Sequence, residues 1–469
     1  MSTSFGSSLR RFSRSPAFKT AVIAALIFVL TIPLFAVWGL VQERENNAQS
    51  VRRDVARSWG GDQNITGPFL VIPYTVLQII EKKDKRIERE LVRHAVFLPE
   101  VLDVKADAKS KVLNRSIYDV TVYRAGLTLN GKFGAPDMNK LAPNAVKVRW
   151  EDAVLALGLS NVSGLKETAD LTLNGAQTVS FEPSMGVDQG RTNMSGIHAR
   201  LDGVRGAGNG QIGAFDFDFK LGFSGSSNIM FAPVARETSV AMTSDWPHPS
   251  FSGAFLPSSR KISADGFSAR WNVPHLARSV PHRWTGERAE LNKFGRTNFG
   301  VRFYIPIDFY DLVNRSVKYG LMFLVVAFTS VFILELLSGV RVHAVQYFFV
   351  GLAMVFFFVL LLSFSEHLGF GWAYLIGAGA TGGMLSFYVA RAMDSPMKGQ
   401  IMFGIFALLY GLLYFILTLE DYALIAGSIT GFVLLTVAMF LTLRVNWSGD
   451  ISDSQAIAQS GSGSADGGE

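Results

Sequence analysis

The sequence predicts an integral membrane α-helical protein with one transmembrane helix, a large inserted β-rich domain of the antiparallel α+β type, and then five more transmembrane helices. Hydrophobic residues make up 49% of the 469 residues before glycine is counted, more than soluble proteins usually contain. Charged residues are concentrated between Glu43 and Lys318, and long uncharged runs lie on both sides of that region. Alternating apolar and polar residues predict strands within the charged region, whereas the uncharged runs are long enough to cross a bilayer.

The uncharged runs define six predicted spans. The first, from Thr20 to Gln42, has about 23 residues, enough at a rise of ~1.5 Å per residue to cross the hydrocarbon layer. It ends in Trp38-Gly39 and has no small-x-small cleavage site, so we predict an uncleaved anchor and not a signal peptide. The five later runs are apolar: Tyr319–Val340, which is interrupted only by Glu335, and Ala344–Ser365, Leu368–Ala390, Gly399–Leu419 and Tyr422–Leu443.

Short connecting loops predict that both termini are cytoplasmic, because Lys and Arg in short loops remain on that side. The basic residues at the predicted cytoplasmic ends are Arg10, Arg11, Arg14, Lys19, Arg341, Arg391, Lys398 and Arg444. The predicted organisation is a cytoplasmic N-terminus (1–19), helix 1 (20–42), a periplasmic β-rich domain (43–315), a five-helix bundle (316–445) and a disordered cytoplasmic tail (446–469).

The region between the first and second spans predicts mainly antiparallel sheet with one solvent-exposed face. Five apolar side chains alternate with other residues from Phe215 to Phe223. Leu-Thr-Leu-Asn-Gly occurs at 127–131 and at 171–175, and each copy predicts a strand that closes on an Asn-Gly turn. We predict a helix from Glu43 to Ser58 that prolongs the first span, and a weaker helix from Glu151 to Leu159.

Few side chains within the spans are candidates for function. Glu335 lies one turn from the cytoplasmic end of the second span, so it is either an interfacial anchor that reaches water or Arg341, or a functional carboxylate. The outer loops contain Glu366, His367, Glu420 and Asp421, which are either unrelated loop charges or one acidic patch. The Gly379-x-x-x-Gly383 spacing in span four predicts close helix packing, with a hinge or a pore as the alternative.

The remaining motifs do not form a complete catalytic or metal site. The chain has no cysteine, which excludes disulfides and thiolate zinc sites. Ser258-x-x-Lys261 resembles the motif of serine acyl enzymes but lacks its companion motifs. His248, His275 and His282, near Asp245 and Asp265, match no compact metal-ligand spacing. We therefore predict no enzyme activity, no cofactor and no metal, and the scattered basic residues predict no nucleic-acid partner.

Several ordered motifs resemble the bacterial inner-membrane CreD family, also called cell envelope integrity proteins. In the soluble region they are Ala56-Arg57-Ser58-Trp59-Gly60-Gly61, Thr66-Gly67-Pro68, Ile72-Pro73-Tyr74, the segment Ser244–Phe251 and the segment Gly253–Pro257. In the membrane region they are Asp311–Tyr319, His343–Tyr347, Ser363–Phe370 and Leu419–Leu424. The resemblance covers nearly the whole chain except the Ser-rich N-terminus and the Gly/Ser tail.

The resemblance implies a protein of the inner membrane that is associated with envelope stress, with tolerance to certain colicins and with control by a two-component system. It supplies no catalytic residues. Trp59, before two glycines, predicts a turn that ends the helix, with the aromatic ring packed beside it. Trp246 and His248 lie in a loop that two prolines make rigid. We expect these three residues to be structural, with function as the alternative.

Three functions remain open at this stage. The first is a non-enzymatic scaffold or interaction role, in which the periplasmic domain contacts an unknown envelope protein or cell-wall component and the helices contact the lipid bilayer. The second is a transporter or channel, and the third is an envelope-modifying hydrolase. The last two lack, respectively, polar groups near the bilayer midplane and a recognisable nucleophile.

The loop charges predict a definite orientation. A reporter that is active only in the periplasm should be active when it is fused after Ser365 or Tyr422, and silent when it is fused after Ser395. Enzyme activity of the fusions, normalised to their amounts in the membrane, measures this. The reverse pattern would contradict the predicted topology.

Overall fold

The computed structural model describes residues 16–82, 85–186, 195–204, 210–285, 293–303, 309–338, 340, 342–419 and 422–442. Two compact units are present. One combines Met1–Asn47 with Ile307–Glu469, and the other is Ala48–Pro306. The predicted tail at 446–469 lies outside the described residues.

The first unit is built from apolar helices, as predicted. Helix α1 covers Pro16–Ser58, so the helix predicted from Glu43 does prolong the first span. The later helices are α3 (Phe309–Lys318), α4 (Gly320–Ser338), α5 (Ala344–Leu368), α6 (Phe370–Ala392), α7 (Pro396–Thr418) and α8 (Ala423–Thr442). Among the described residues α1, α4, α5, α6 and α7 are long and apolar enough to cross a membrane, and α8 contains the shorter apolar stretch Ile425–Val437. The amphipathic helix α3 was not predicted.

Small residues let α1 approach the later helices. A Cβ atom on Gly351 of α5 would lie 2.2 Å from Leu30 Cδ1 of α1 and 2.8 Å from Phe328 Cζ of α4. Helices can pack this closely in a membrane only where a side chain is missing. The first span and the C-terminal spans therefore form one packed unit.

The glycines of α6 have two different environments. A Cβ on Gly377 would contact the Phe357 ring at 3.4 Å, and one on Gly382 would contact Phe406 and Tyr410 at 3.8 Å. Within the described chain, Cβ atoms on Gly379 and Gly383 would meet nothing within 4 Å. The close packing predicted for the Gly379-x-x-x-Gly383 pair is therefore absent among the described residues, and Gly379 instead borders a groove that Phe403, Ala407 and Tyr410 of α7 also line.

The second unit contains two large sheets. Its strands are β1 (Gln63–Lys82), β2 (Lys85–Phe97), β3 (Val101–Arg115), β4 (Tyr118–Phe133), β5 (Lys147–Val148), β6 (Val154–Leu159), β7 (Asp170–Leu173), β8 (Gln177–Ser180), β9 (Glu182–Pro183), β10 (Gly196–Arg200), β11 (Phe215–Ser226), β12 (Asn228–Phe231), β13 (Glu237–Ser244), β14 (Pro249–Gly253), β15 (Ser259–Ser263), β16 (Gly266–Pro274), β17 (Arg283–Thr285) and β18 (Phe299–Phe303). A one-turn helix, α2, covers Met138–Leu141.

The order of strands in the eight-stranded sheet is β15-β16-β13-β3-β4-β11-β7-β8. The ten-stranded sheet follows the path β14-β18-β12-β1-β6-β10-β9, and β2, β5 and β17 join it at the side. Most pairs are antiparallel as predicted, but β1 with β12 and β3 with β13 are parallel.

Both sheets bury one face in a single hydrophobic core. On β11 the apolar residues from Phe215 to Phe223 are buried and alternate with exposed or half-buried ones, which confirms that predicted strand. Tyr123 of β4 lies between the sheets: its ring stacks on Phe303 of β18 at 4.9 Å, and its hydroxyl donates to the Asn228 carbonyl at 2.6 Å. Burial raises the pKa of this hydroxyl well above its usual value.

Two local predictions for this unit were wrong in part. The Asn-Gly turn at 174–175 is present between β7 and β8, with positive φ angles at both residues. The copy at 130–131 does not turn, because Gly131 lies inside β4, where strands β3 and β11 flank it and the Phe217 ring occupies the space of a side chain. The predicted helix from Glu151 is a short 3-10 turn followed by the fully buried strand β6.

Candidate functional site

Glu335 is the centre of a buried polar cluster in the first, helical unit, which we call the membrane unit. Lys19 of α1 donates to Glu335 Oε1, the Val342 amide donates to the same oxygen at 3.1 Å, and the Tyr347 hydroxyl donates to Oε2 at 2.9 Å. Only 8% of the Glu335 side chain is exposed. Since both carboxylate oxygens accept hydrogen bonds, and one bond comes from a cation, the charge is compensated within the protein.

The backbone around this cluster explains how four separate groups meet. Glu335 lies in the last turn of α4, and Tyr347 lies in the first turn of α5, where the His343 amide donates to the Gln346 side chain at 2.8 Å. Lys19, in the first turn of α1, also donates to the Val342 carbonyl at 2.8 Å and lies 5.7 Å from the centre of the Tyr347 ring.

Sequence reasoning identified Glu335 but not its partner. The predicted partners were water or Arg341, and Arg341 lies outside the described residues. Lys19 was counted only as a basic residue before the first span. A signal was nevertheless available, because a carboxylate and a lysine at the same predicted membrane face, both next to apolar runs, are natural partners.

The outer candidates do not form a described site. Glu366 is half-buried at the end of α5 and accepts a hydrogen bond from the Tyr310 hydroxyl of α3 at 3.0 Å. His367 is exposed, and Glu420 and Asp421 lie outside the described residues. The proposed acidic patch therefore stays a prediction.

Other polar side chains in the bundle bond to each other. The Tyr374 hydroxyl of α6 donates to the Tyr410 carbonyl of α7 at 2.6 Å. The Thr381 hydroxyl donates to the Gly377 carbonyl at 2.7 Å and lies 3.1 Å from the Tyr410 hydroxyl, with which it forms a second hydrogen bond. The Phe357 ring of α5 packs 4.7 Å from the Tyr410 ring. These contacts join three helices, as expected for polar groups that no water can reach.

Trp59 has the structural surroundings that its motif predicts. Helix α1 ends at Ser58, and Gly60 and Gly61 follow with φ angles of 97° and 63°. Trp59 packs against a small cluster formed by Val55, Val120 and Val122. A Cβ on Gly60 would also lie 2.5 Å from the Ser224 carbonyl oxygen. The turn therefore requires glycine, both for its positive φ angle and because any side chain would clash.

The loop with Trp246 and His248 is anchored through the tryptophan. Trp246 is half-buried against the core, and its indole donates to the His248 carbonyl at 3.1 Å. The His248 side chain is exposed. Nearby, Asp245 accepts two hydrogen bonds of 2.8 Å from the amide and hydroxyl of Ser110, which fix the start of this loop.

A second charged cluster, which the sequence did not reveal, ties the segment after β16 to the turn between β2 and β3. Glu100 accepts from Arg236 at 2.5 Å and contacts His282 Nε2 at 3.2 Å, and His282 Nδ1 lies 3.4 Å from a nitrogen of Arg278. Burial lowers the pKa of His282, the Glu100 carboxylate opposes this, and Arg236 and Arg278 reinforce it. Burial also lowers the pKa of Arg278 to about 10.

The remaining candidate groups of the sequence motifs have separate partners. The Ser258 hydroxyl donates to the Arg270 carbonyl at 3.0 Å, and Lys261 is exposed on the edge strand β15. In the described part of the chain, no three His, Asp or Glu side chains lie close enough to hold a metal ion. His282 is engaged with Glu100, apart from His248 in its own loop.

Replacing Glu335 by Gln leaves the half-buried Lys19 cation without its carboxylate. We expect the membrane unit to lose about 3–5 kcal/mol of stability, seen as a lower melting temperature of the full chain in detergent. Tyr347→Phe, which removes a single hydrogen bond, should cost only about 0.6–2 kcal/mol. Glu366→Gln is the matched control and should change little. A Glu335→Gln protein with normal stability but no function would instead indicate a sensing or transport carboxylate.

Comparison with known sequences agrees with this architecture. The family described as "Inner membrane protein CreD" matches residues 15–448. The protein named "Inner membrane protein CreD" from Escherichia coli (strain K12) is 29% identical over 438 residues, which cover 92% of this chain and 94% of that protein. The match extends through both the second unit, with its two sheets, and the helices of the first, so the chain is a multi-pass inner-membrane protein that belongs to the CreD family.

Proposed function

We propose that this protein is a non-enzymatic envelope-integrity factor whose β-rich domain contacts another component of the envelope during stress. The observation that carries the proposal is the state of its candidate reactive groups. Ser258 is bonded to backbone, Asp245 is held by Ser110, and His282 is engaged with Glu100. Among the described residues the Ser184 hydroxyl lies 3.4 Å from His198 Nδ1, but that nitrogen lies closer, at 3.0 Å, to the Ser184 carbonyl oxygen. A ring nitrogen that donates to a carbonyl cannot also act as the base that acyl-transfer chemistry requires of a serine's partner.

The proposed orientation places the β-rich domain in the periplasm and both termini in the cytoplasm. The loop charges indicate the side of the membrane, and contacts within the membrane unit support the pairing of helix ends that this orientation requires. Lys19, before the first span, donates to the Val342 carbonyl between α4 and α5, so these two predicted cytoplasmic segments are neighbours. Tyr310, before α4, bonds Glu366 at the end of α5, as expected for two segments on the other side.

A transport function finds less support. Glu335, the acidic residue within a predicted span, is bonded to Lys19 and Tyr347 near the helix ends and not at the middle of the bundle. The hydroxyls of Tyr374 and Thr381 bond to neighbouring helices. Substrate pathways in membranes need polar groups that can exchange partners with the solute.

If the domain acts as an interaction module, its function depends on its folded core and not on one reactive group. We expect Ser258→Ala and His248→Ala to restore envelope-stress tolerance in cells that lack the chromosomal copy. Phe217→Asp should abolish tolerance, because Phe217 is 2% exposed and an unpaired charge there costs several kcal/mol. Asp218→Asn, one position along β11 on the exposed face, is the matched control and should be tolerated.

Survival under envelope stress, with immunoblots of membrane fractions to check protein amounts, measures these effects. A Ser258→Ala or His248→Ala protein that inserts and folds normally but gives no tolerance would contradict the proposal, since that outcome indicates catalysis.

A further inference from the structure

The exposed face of the eight-stranded sheet carries cations in register across its strands. Directly paired residues of neighbouring strands lie side by side on the same face of a sheet. Strand pairing gives one such row, which runs across six strands in the order Lys220, Thr128, Lys105, Ala241, Arg270 and Ser259. Lys220, Lys105 and Arg270 are exposed, and small side chains separate them. We call these three residues the cation row.

A groove lies along the part of the cation row that Lys105 and Arg270 form. The next row of paired residues contains Gly222, Gly126, Asp107, Thr243, Ser268 and Lys261, so most positions have small side chains. The resulting groove has a volume of about 810 Å³ and includes Lys105, Arg260, Lys261 and Arg270 in its walls. Its length runs across the strands, from β4 to the edge strand β15.

The charges in the groove are unbalanced. Three cations, Lys105, Lys261 and Arg270, face one carboxylate, that of Asp107, which already accepts from the Thr243 hydroxyl at 2.8 Å and lies 3.9 Å from Lys109. Arg260 pairs with the buried Ala269, and its guanidinium lies over the Phe251 ring on the other face of the sheet. Among the described residues, Lys105, Lys261, Arg270 and Lys220 form no ion pair within 4 Å. The groove therefore attracts anions, and this attraction is a means of selecting a partner.

The spacing of the cation row restricts the shape of that anion. Neighbouring strands lie ~4.8 Å apart, so cations on every second strand are spaced by about 9–10 Å. An extended peptide in the polyproline II conformation presents the same face every three residues, or about every 9.3 Å. A β-strand presents the same face about every 6.7 Å, which does not match.

The lining of the groove argues against single-stranded nucleic acids and polysaccharides as ligands. The described lining residues with exposed side chains are charged, small or hydroxyl-bearing, and they include no aromatic ring on which a base or a sugar could stack. The side chain of Met242 is buried in the core and does not enter the groove. Single-stranded nucleic acids are bound by such rings together with cations. A groove that offers cations and hydroxyls but no aromatic rings is suited to carboxylates, because these groups donate hydrogen bonds to carboxylate oxygens.

We propose that this groove binds an extended acidic segment of a partner protein, with a carboxylate at every third residue, laid across strands β4, β3, β13, β16 and β15. The inference deepens the proposed function by naming the surface and the partner chemistry, and it depends on that function only for the view that the β domain is an interaction module.

The test uses the full-length protein in detergent and three fluorescent synthetic peptides of equal length, rich in proline. One has Glu at every third position, one has the same number of Glu at every second position, and one has Lys at every third position. Fluorescence anisotropy measures binding at low and high salt. Inorganic polyphosphate is the competitor that represents a general polyanion.

We expect the peptide with Glu at every third position to bind most tightly. The double variant Lys105→Glu/Arg270→Glu should weaken its binding by about tenfold or more, because two attractive contacts become repulsive. Lys147→Glu, an exposed lysine on β5 of the other sheet, is the matched control and should leave binding unchanged. High salt should weaken binding as it screens exposed charges. Circular dichroism should show that both variants are folded.

The proposal is overturned if the Glu and Lys peptides bind equally, if the double variant binds like the original protein, or if polyphosphate binds tightly while neither Glu peptide does. Equal binding of the two Glu peptides would also overturn the assigned spacing. Failure of the proposed function is scored separately, by the stress tolerance of the Ser258→Ala and His248→Ala cells, where peptide binding has no part.

Discussion

The contact between Lys19 and Glu335 is the constraint on which the membrane unit depends. The two residues are 316 positions apart in the sequence, with the whole unit Ala48–Pro306 between them. A cation and a carboxylate that are buried separately cost several kcal/mol each, and they become acceptable only when they meet and their remaining hydrogen-bonding positions are filled. Val342 and Tyr347 fill those positions. The chain can therefore bury these charges only when α1 has docked against α4 and α5, and the polar cluster selects that arrangement among other packings of apolar helices.

Specific contacts between α1 and the later helices allow the bundle to assemble although the large β domain separates them in the sequence. Apolar helices in lipid gain little by choosing one neighbour over another, so specificity comes from close contacts and hydrogen bonds. Gly351, next to Leu30, supplies the close contact along α1, and the Glu335 cluster supplies the polar one at its start. The domain that interrupts the bundle has its own contiguous core, formed by both sheets and closed by Tyr123. Each unit thus contains the interactions that hold it together.

Much of this architecture could be predicted because it follows from hydrophobic length and period. The apolar runs predicted the spanning helices, and the alternation from Phe215 to Phe223 predicted a strand with one buried face. What could not be predicted depends on contacts between distant residues. The two Asn-Gly pairs are identical in sequence, yet one turns and the other stays extended because strands on both sides hold it. The cluster around His282 and the register of the cation row depend on such contacts in the same way. No local pattern encodes them.

The most direct test of the Lys19–Glu335 contact is a charge-exchange cycle. The variants are Lys19→Glu, Glu335→Lys and the two combined, and the measurement is the melting temperature of the full chain in detergent. Each single variant places two like charges in a buried site and should lower stability by about 3–5 kcal/mol. If the pair unites α1 with α4 and α5, the combined variant should recover a large part of that loss, because the charges are again opposite. Losses that simply add in the combined variant would show that the two residues act independently and would contradict the account.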